Sequence, residues 1–486
     1  MKALPPTWAI APLGDLADIQ LGKMLDRARN TGTPTPYLRN INVRWGSFDL
    51  NDVLSVPLSD EEREFFALRD GDLMVCEGGE PGRCAVWRHG PTDLRYQKAI
   101  HRVRLAGGLS PELVALYLRH LVEERRLEEH FTGTTIKHLP RAAFMRLPIP
   151  LPPLPEQRRI VAKLDRLSAR SKAARDHLAR ATHLAARAKQ ALLAAAFRGE
   201  LTTEWRAGRS DLESAQDLVE RTPEPTQSRG GRDATDKVTE GIGAMSVNDP
   251  GSPLPSGWAW VRLRRVARQE TGHTPSRSRP DWWGGDVPWI GIRDANAYHG
   301  RVIDETSQTI NEDGLANSSA RLLPAGTVCL SRTASVGYVT MMGRPMATSQ
   351  DFATWSCTGA LDPFYLMLGL MSEGDSIRRF GEGSTHTTIY FPQIRAFHIK
   401  LAPLDEQREI VRRIEAASAR IDRLAAEAAR AARLLDRLDE RLLARAFRGE
   451  LVPQDPADEP ATALLTRLRE ARASAPKPGR RRRAPP

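Results

Sequence analysis

Pro155-Glu156-Gln157-Arg158-Arg159-Ile160-Val161 opens a stretch that closes on Ala196-Phe197-Arg198-Gly199-Glu200-Leu201, and the chain contains that stretch twice. Its second copy opens on Asp405-Glu406-Gln407-Arg408-Glu409-Ile410-Val411 and closes on Ala446-Phe447-Arg448-Gly449-Glu450-Leu451, 250 residues later at both ends. Each copy reads as one long helix whose apolar or small residues alternate at intervals of four and three, the heptad of a coiled coil. The first seam runs through Ile160, Leu164, Leu167, Ser171, Ala174, Leu178, Ala181, Ala185, Ala188, Leu192 and Ala195. The second runs through Ile410, Ile414, Ala417, Ile421, Leu424, Ala428, Ala431, Leu435, Leu438 and Leu442. Pro155 suits a first helical turn, and Gly199 and Gly449 offer the left-handed closing conformation.

A helix of this length is a rod of roughly 65 Å, longer than one globular core requires. It needs a partner, either in an oligomer or in its own chain. Two matched copies in one chain favour pairing with each other. Antiparallel packing is expected, because parallel packing would crowd the preceding domains at one end and send the linker back along the rod.

The chain has 486 residues, enough for about three domains. Its formal net charge is +11, and 61 of its 71 basic residues are arginines, whose planar fork suits phosphate oxygens and guanine edges. Nucleic acid is the leading partner class, although a GC-rich codon bias also enriches arginine. Cys76, Cys84, Cys329 and Cys357 have no metal-like spacing and read as buried free thiols, with no metal site. With no secretory leader or long apolar run, the expected compartment is the reducing cytoplasm.

The duplication reaches beyond the helices. Leu4-Pro5-Pro6-Thr7-Trp8 returns as Leu254-Pro255-Ser256-Gly257-Trp258, Pro36 to Arg39 resembles Pro288 to Gly291, and Gly71 to Val75 resembles Gly326 to Leu330. Gln97 pairs with Gln350, and Gly133-Thr134-Thr135-Ile136 parallels the stretch from Ser384 to Ile389. The fold class is therefore α+β: two similar globular domains joined by two long helices in an antiparallel coiled coil, with pseudo-two-fold internal repetition. The domains are residues 1–153 and 253–403, with the first helix and its extension at 154–205 and the second at 404–452. Residues 206–252 read as a flexible linker with a short helix, and 453–486 as a short helix with an Arg-rich tail. That tail is either a solvated arm or a nucleic-acid contact.

A variable domain, a helix opening on Leu151 to Ile160 and closing on Ala196 to Leu201, the stretch Leu201 to Trp205, and then all of these again resembles the specificity subunits of type I restriction-modification systems. The resemblance covers nearly the whole chain. It implies that the variable halves are target recognition domains, each reading one part of a split double-stranded DNA site across an unread spacer. It also implies that the helices hold modification (methyltransferase) subunits. Restriction (ATP-dependent nuclease) subunits complete the complex, which methylates adenine or cleaves DNA. No cofactor belongs to this chain; S-adenosylmethionine, ATP and Mg are expected in the partners, and no membrane is involved. Independently, two similar domains related by a two-fold match the dyad of duplex DNA, and divergence of the halves implies unlike half-sites.

No phosphate-binding GxxxxGK[ST], methyltransferase or common nuclease motif is present, so a non-catalytic subunit is expected, against the rival of an enzyme with an unfamiliar site. A stand-alone DNA-binding coiled-coil protein without restriction partners is the other alternative. Base reading needs side chains with donor and acceptor pairs on loops between strands. In the first domain these are Arg39, Asn40, Asn42, Arg44, Gln97, Lys98, Thr134, Thr135 and Lys137. In the second they are Arg293, Asn296, Arg332, Thr333, Gln350, Thr385, Thr387 and Thr388. Each of these could equally serve an ordinary turn. Residues 155–199 carry eleven basic and three acidic side chains, and 405–449 carry eleven and nine. The first helix could face spacer phosphates, an acidic partner or water.

Overall fold

The two repeated stretches form helices Leu154–Phe197 and Leu404–Ala446. The computed structural model describes residues 4–26, 30–90, 92–209, 211–228, 235–383 and 387–474. The chain divides into two compact units, residues 1–178 with 430–486, and residues 179–429, so each long helix contributes to both.

In the first unit an antiparallel sheet takes the order Ala17–Leu21, Ile100–Leu105, Leu73–Cys76, Cys84–Val86. A second sheet sets Thr33–Leu38 between Leu54–Leu58 and Arg95–Tyr96, the last pair parallel. Strand Ala9–Pro12 pairs with Pro148–Leu151. Helix Pro111–Glu123 starts at Ser110, whose hydroxyl caps Leu113 N, with Pro111 in its first turn. Its buried face, with Leu113, Tyr117 and Leu121, joins Leu13, Leu16 and Ile149 in the core. The same core takes in Leu164 of the first long helix, Leu443 of the second, Phe447 just past its end, and Leu464, Leu465 and Leu468 of helix Ala461–Ser474.

The second unit repeats this plan. Its main sheet has the order Ala267–Thr271, Phe352–Cys357, Val328–Ser331, Val339–Met342, Val302–Ile303. Its second sheet sets Trp283–Ile290 between Gln308–Ile310 and Ala347–Thr348. The frames superpose in register: Ala9 faces Leu151 as Ala259 faces Leu401. Between the frames the repeat slips. Gln97 N bonds Leu38 O, and the residue bonding Ile290 O in the same way is Ser349. By backbone pairing Gln350 therefore matches Lys98, which corrects the pairing of Gln97 with Gln350.

Part of the stretch expected to be a flexible linker is ordered sheet. Strands Thr239–Glu240 and Met245–Val247 extend the pair Phe397–Leu401 and Ala259–Arg262 to four strands. The cause is Glu373, a buried carboxylate that accepts from Ile242 N (2.8 Å), Gly243 N (3.1 Å) and Met245 N (2.8 Å). Gln227 docks upstream of this on Arg264 O and Ala267 O. The Arg-rich tail beyond Ser474 lies outside the described residues.

The repeated Glu-Gln pair explains why these stretches are copied so closely. Glu156 and Gln157, like Glu406 and Gln407, are buried. Glu156 accepts from Trp8 Nε1 (3.0 Å) and Gln454 Nε2 (2.6 Å). Glu406 accepts from Trp258 Nε1 (3.0 Å), Thr202 Oγ1 (2.7 Å) and Arg206. Gln157 takes Ser110 N and gives to Pro152 O, as Gln407 takes Asp362 N and gives to Ala402 O. Each pair thus ties its own domain to the segment that follows the other long helix. Gly199 and Gly449 have φ of +74° and +72°, and a Cβ there would lie 2.4 Å from Pro255 Cγ and 2.2 Å from Pro5 Cγ, so only glycine fits.

Within each unit the long helices run antiparallel. In the first, Ser171 Oγ donates to Asp439 Oδ1 (2.8 Å), and Arg175 pairs with Asp436 and Asp439. In the second, Lys189 reaches Asp422 at 2.5 Å. Ile160, Leu164, Ile410 and Ile414 are buried, while Leu167, Leu178, Leu192, Ile421, Leu435 and Leu442 are half-buried. Leu424 and Leu438, expected in the seam, are 60% and 47% exposed. A 3.6-residue helix drifts against a strict heptad, and near the helix ends Leu193, Phe197, Leu443 and Phe447 are the buried face instead.

Candidate nucleic-acid interface

Each unit projects a short loop from the end of its main sheet, closed by the same pair of backbone bonds. Thr132 and His138 exchange N–H···O bonds of 2.9 Å in the first unit; Glu382 and Thr388, 250 residues on, exchange bonds of 2.9 and 3.0 Å. Thr134, Thr135, Ile136 and Lys137 are exposed at the first loop's tip. In the second loop Thr387 and Thr388 are half-buried, and Thr385 lies outside the described residues. Small hydroxyls and a lysine at an exposed tip suit phosphate and groove-edge contacts.

Beside the first loop is a cleft of about 350 Å³ lined by Lys23, Met24, Leu25, Glu77, Gln97, Lys98, Ala99 and His138. The structure thereby brings Gln97 and Lys98 to the base of the threonine loop. His138 Nδ1 donates to Glu77 Oε2 at 3.0 Å, fixing both side chains. Asn40 stands near, its Nδ2 on Gly78 O at 3.2 Å.

Asn42 is a correction: it is 2% exposed, and its amide is spent on Arg39 N, Asp49 O and Asp52 O, so it shapes a turn and cannot reach a base. Arg39 is committed to Asp52 at 2.6 Å. Arg44 is half-exposed, 3.6 Å from Asp49.

In the second unit Arg332, Thr333 and Gln350 converge. Arg332 Nη2 donates to Gln350 O (3.0 Å), its guanidinium lies 4.4 Å from the Phe391 ring centroid, and Thr333 Oγ1 donates to Asp351 (2.7 Å). Burial lowers the Arg332 pKa from its ordinary value, yet it stays a cation at neutral pH. Arg293 and Asn296 are exposed on a separate helix, Ile292–Ala297.

Sequence reasoning missed three groups. Lys23 and Glu77 belong to the first cleft, and Glu77 is the residue directly after strand Leu73–Cys76. Arg277, an exposed cation, lies over Trp283 at 3.9 Å and 5.3 Å from the buried Trp289, a cation–π contact that holds its guanidinium at the surface. The interleaving of Arg277, Arg279, Trp282 and Trp283 was visible in the sequence. The four cysteines are free; Cys76, Cys84 and Cys329 are buried, and burial pushes the Cys76 thiol up to about 11. Among the described residues no cluster of three His, Cys, Asp or Glu is arranged to hold a metal, and no helix is long and apolar enough to cross a membrane.

The family model described as "Type I restriction modification DNA specificity domain" matches residues 5–178 and again 255–429. The StySPI specificity subunit of Salmonella potsdam is 24% identical over 497 residues, covering 97% of this chain and 96% of that protein. The EcoKI specificity subunit of Escherichia coli K12 is 23% identical, covering 97% of each. The MjaIX specificity subunit of Methanocaldococcus jannaschii is 26% identical over 159 residues, where the match spans 37% of that protein. Among solved structures, a chain of a type I R-M system described for its complex assembly and conformational transition aligns at TM-score 0.65 and 21% identity, covering 93% of this chain and all of that one. The HsdS subunit of Thermoanaerobacter tengcongensis aligns at 0.55 and 21%, covering 92% and 98%. These two show a shared fold.

Proposed function

This chain belongs to the type I restriction-modification DNA specificity family, and from that premise we propose that its two units read the two unlike halves of a split DNA target on behalf of partner subunits. The partners are modification subunits, which methylate adenine using S-adenosylmethionine, and restriction subunits, which cleave with ATP and Mg. The chain itself recognises and does not catalyse, and it works in the cytoplasm.

One observation carries this reading: two scaffolds in the same frame register, Ala9 on Leu151 and Ala259 on Leu401, present different side chains at corresponding loops. Similar scaffolds with unlike contact residues are what two half-sites of different sequence require. The candidate contacts are Lys98, Gln97, Thr134, Thr135 and Lys137 in one unit, and Arg332, Thr333, Gln350, Thr387 and Thr388 in the other. Arg293, Asn296, Arg44, Asn40 and Arg39 are further candidates. Leu184, Leu424, Leu434 and Leu438 on the long helices are 47–60% exposed, apolar surface suited to partner subunits.

The test is to co-express the chain with its modification subunits and map methylated adenines by single-molecule sequencing. A motif of two fixed, unlike halves around unspecified bases is expected. A contiguous motif, or methylation independent of this chain, overturns the reading.

A further inference from the structure

Resting on that reading, we propose that Glu77 and Arg332 are matched specificity-determining residues, Glu77 accepting from an exocyclic base amino group and Arg332 donating to a guanine. They occupy the same place in the two scaffolds. Glu77 follows strand Leu73–Cys76 and Arg332 follows strand Val328–Ser331. Glu77 N donates to Ala99 O (2.8 Å) and its carbonyl accepts from Leu139 N (2.7 Å). Arg332 N donates to Asp351 O (2.8 Å) and its carbonyl accepts from Ile389 N (2.9 Å). Both residues thus brace the return of the threonine loop, and at that one backbone position the charge is inverted.

The inversion has a chemical meaning at a DNA surface. A carboxylate facing phosphate is repelled, so an acidic side chain in a cleft rimmed by Lys23 and Lys98 belongs where a base edge arrives. There it accepts from cytosine N4 or adenine N6, and it cannot satisfy guanine O6 or N7. His138 acts as a positioning residue: its Nδ1 lies 3.0 Å from Oε2 and 3.2 Å from Oε1, which fixes the carboxylate at the cleft wall, and each oxygen keeps a further lone pair that can accept.

At the equivalent point Arg332 offers a planar fork. Stacking on Phe391 and the bond to Gln350 O hold that plane, so less freedom is lost when it meets the two acceptors of guanine.

The experiment maps methylation in cells that express the partner subunits with the wild-type chain, Glu77→Gln or Arg332→Gln. The Glu77→Gln side chain retains an acceptor for His138, and thermal unfolding of each variant checks the fold. Glu77→Gln is expected to relax one C- or A-specified position in one half-site, and Arg332→Gln one guanine position in the other, with discrimination there falling roughly 5- to 150-fold. The unaltered half remains as in wild type in each case. Methylation of the unchanged motif by both folded variants overturns the assignment, as does a uniform loss of methylation with no change of motif, which marks a structural role. A wild-type chain that directs no split motif is distinguishable from either result, and it overturns the family reading and this assignment together.

Discussion

His101 is wholly buried in the first unit, its Nε2 on Leu139 O at 2.8 Å and its Nδ1 without a partner among the described residues. Burial dominates and lowers its pKa to about 4, against a smaller opposing pull from the Leu139 carbonyl and Glu77 and a further small lowering by Arg141. The folded state therefore binds a proton less readily than the unfolded chain, whose histidine titrates near 6.5. The stability this group provides is complete above about pH 6.5 and is lost as pH falls toward about 4. Moving from about pH 7.5 to about pH 5 is expected to cost the first unit about 2 kcal/mol from this residue. Urea denaturation at the two pH values should show that loss, and His101→Gln should remove most of the difference. At this scale the sequence was least legible. Asn42 looked like a base reader because its backbone partners, Asp49 and Asp52, are fixed only by a turn. Glu77 was passed over because a scan for hydrogen-bond donors to DNA excludes acids.

The long helices were legible because their periodicity is local and was written twice without a gap. What the pattern left open was how the seam is filled where alanine and serine replace leucine. In the first unit the filling is polar: Ser171, 5% exposed, and Arg175 share the carboxylate of Asp439. Asp439→Ala is expected to lower stability by about 1–2 kcal/mol, since it strips a buried hydroxyl of its acceptor while Arg175 keeps Asp436. Ser171→Ala combined with Asp439→Leu should recover that loss, because an apolar pair needs no desolvation. Denaturation of wild type, Asp439→Ala and the Ser171→Ala/Asp439→Leu double variant checks both expectations. Strand Met245–Val247 was illegible for the opposite reason. Its glycine-bearing approach has no period, and its partners Glu373 and Phe397–Leu401 lie more than 120 residues away.

Two readers on one repeated frame make the molecule modular in a way that its contacts restrict. Replacing residues 9–147 with the corresponding stretch of a relative is expected to change one half of the methylated motif and leave the other half and the spacer intact, as methylation mapping would record. The exchange succeeds only if the incoming helix keeps a face for Phe447, which packs on Tyr117 with ring centroids 4.9 Å apart, and a pocket for Leu464, Leu465 and Leu468. A chimera that altered both halves would contradict independent readers. That shared core also sets an order of events on the ribosome. The second unit, residues 179–429, is continuous and can close as soon as it emerges. The first unit emerges earlier but lacks Leu443, Phe447 and helix Ala461–Ser474 until about 300 residues more have been made. At a synthesis rate of about 5–20 residues per second, the apolar face of Tyr117, Leu121 and Leu164 waits roughly 15–60 s for its cover. The domain translated first is therefore the one finished last, and during that interval the nascent chain is most exposed to chaperones, proteases and neighbouring nascent chains.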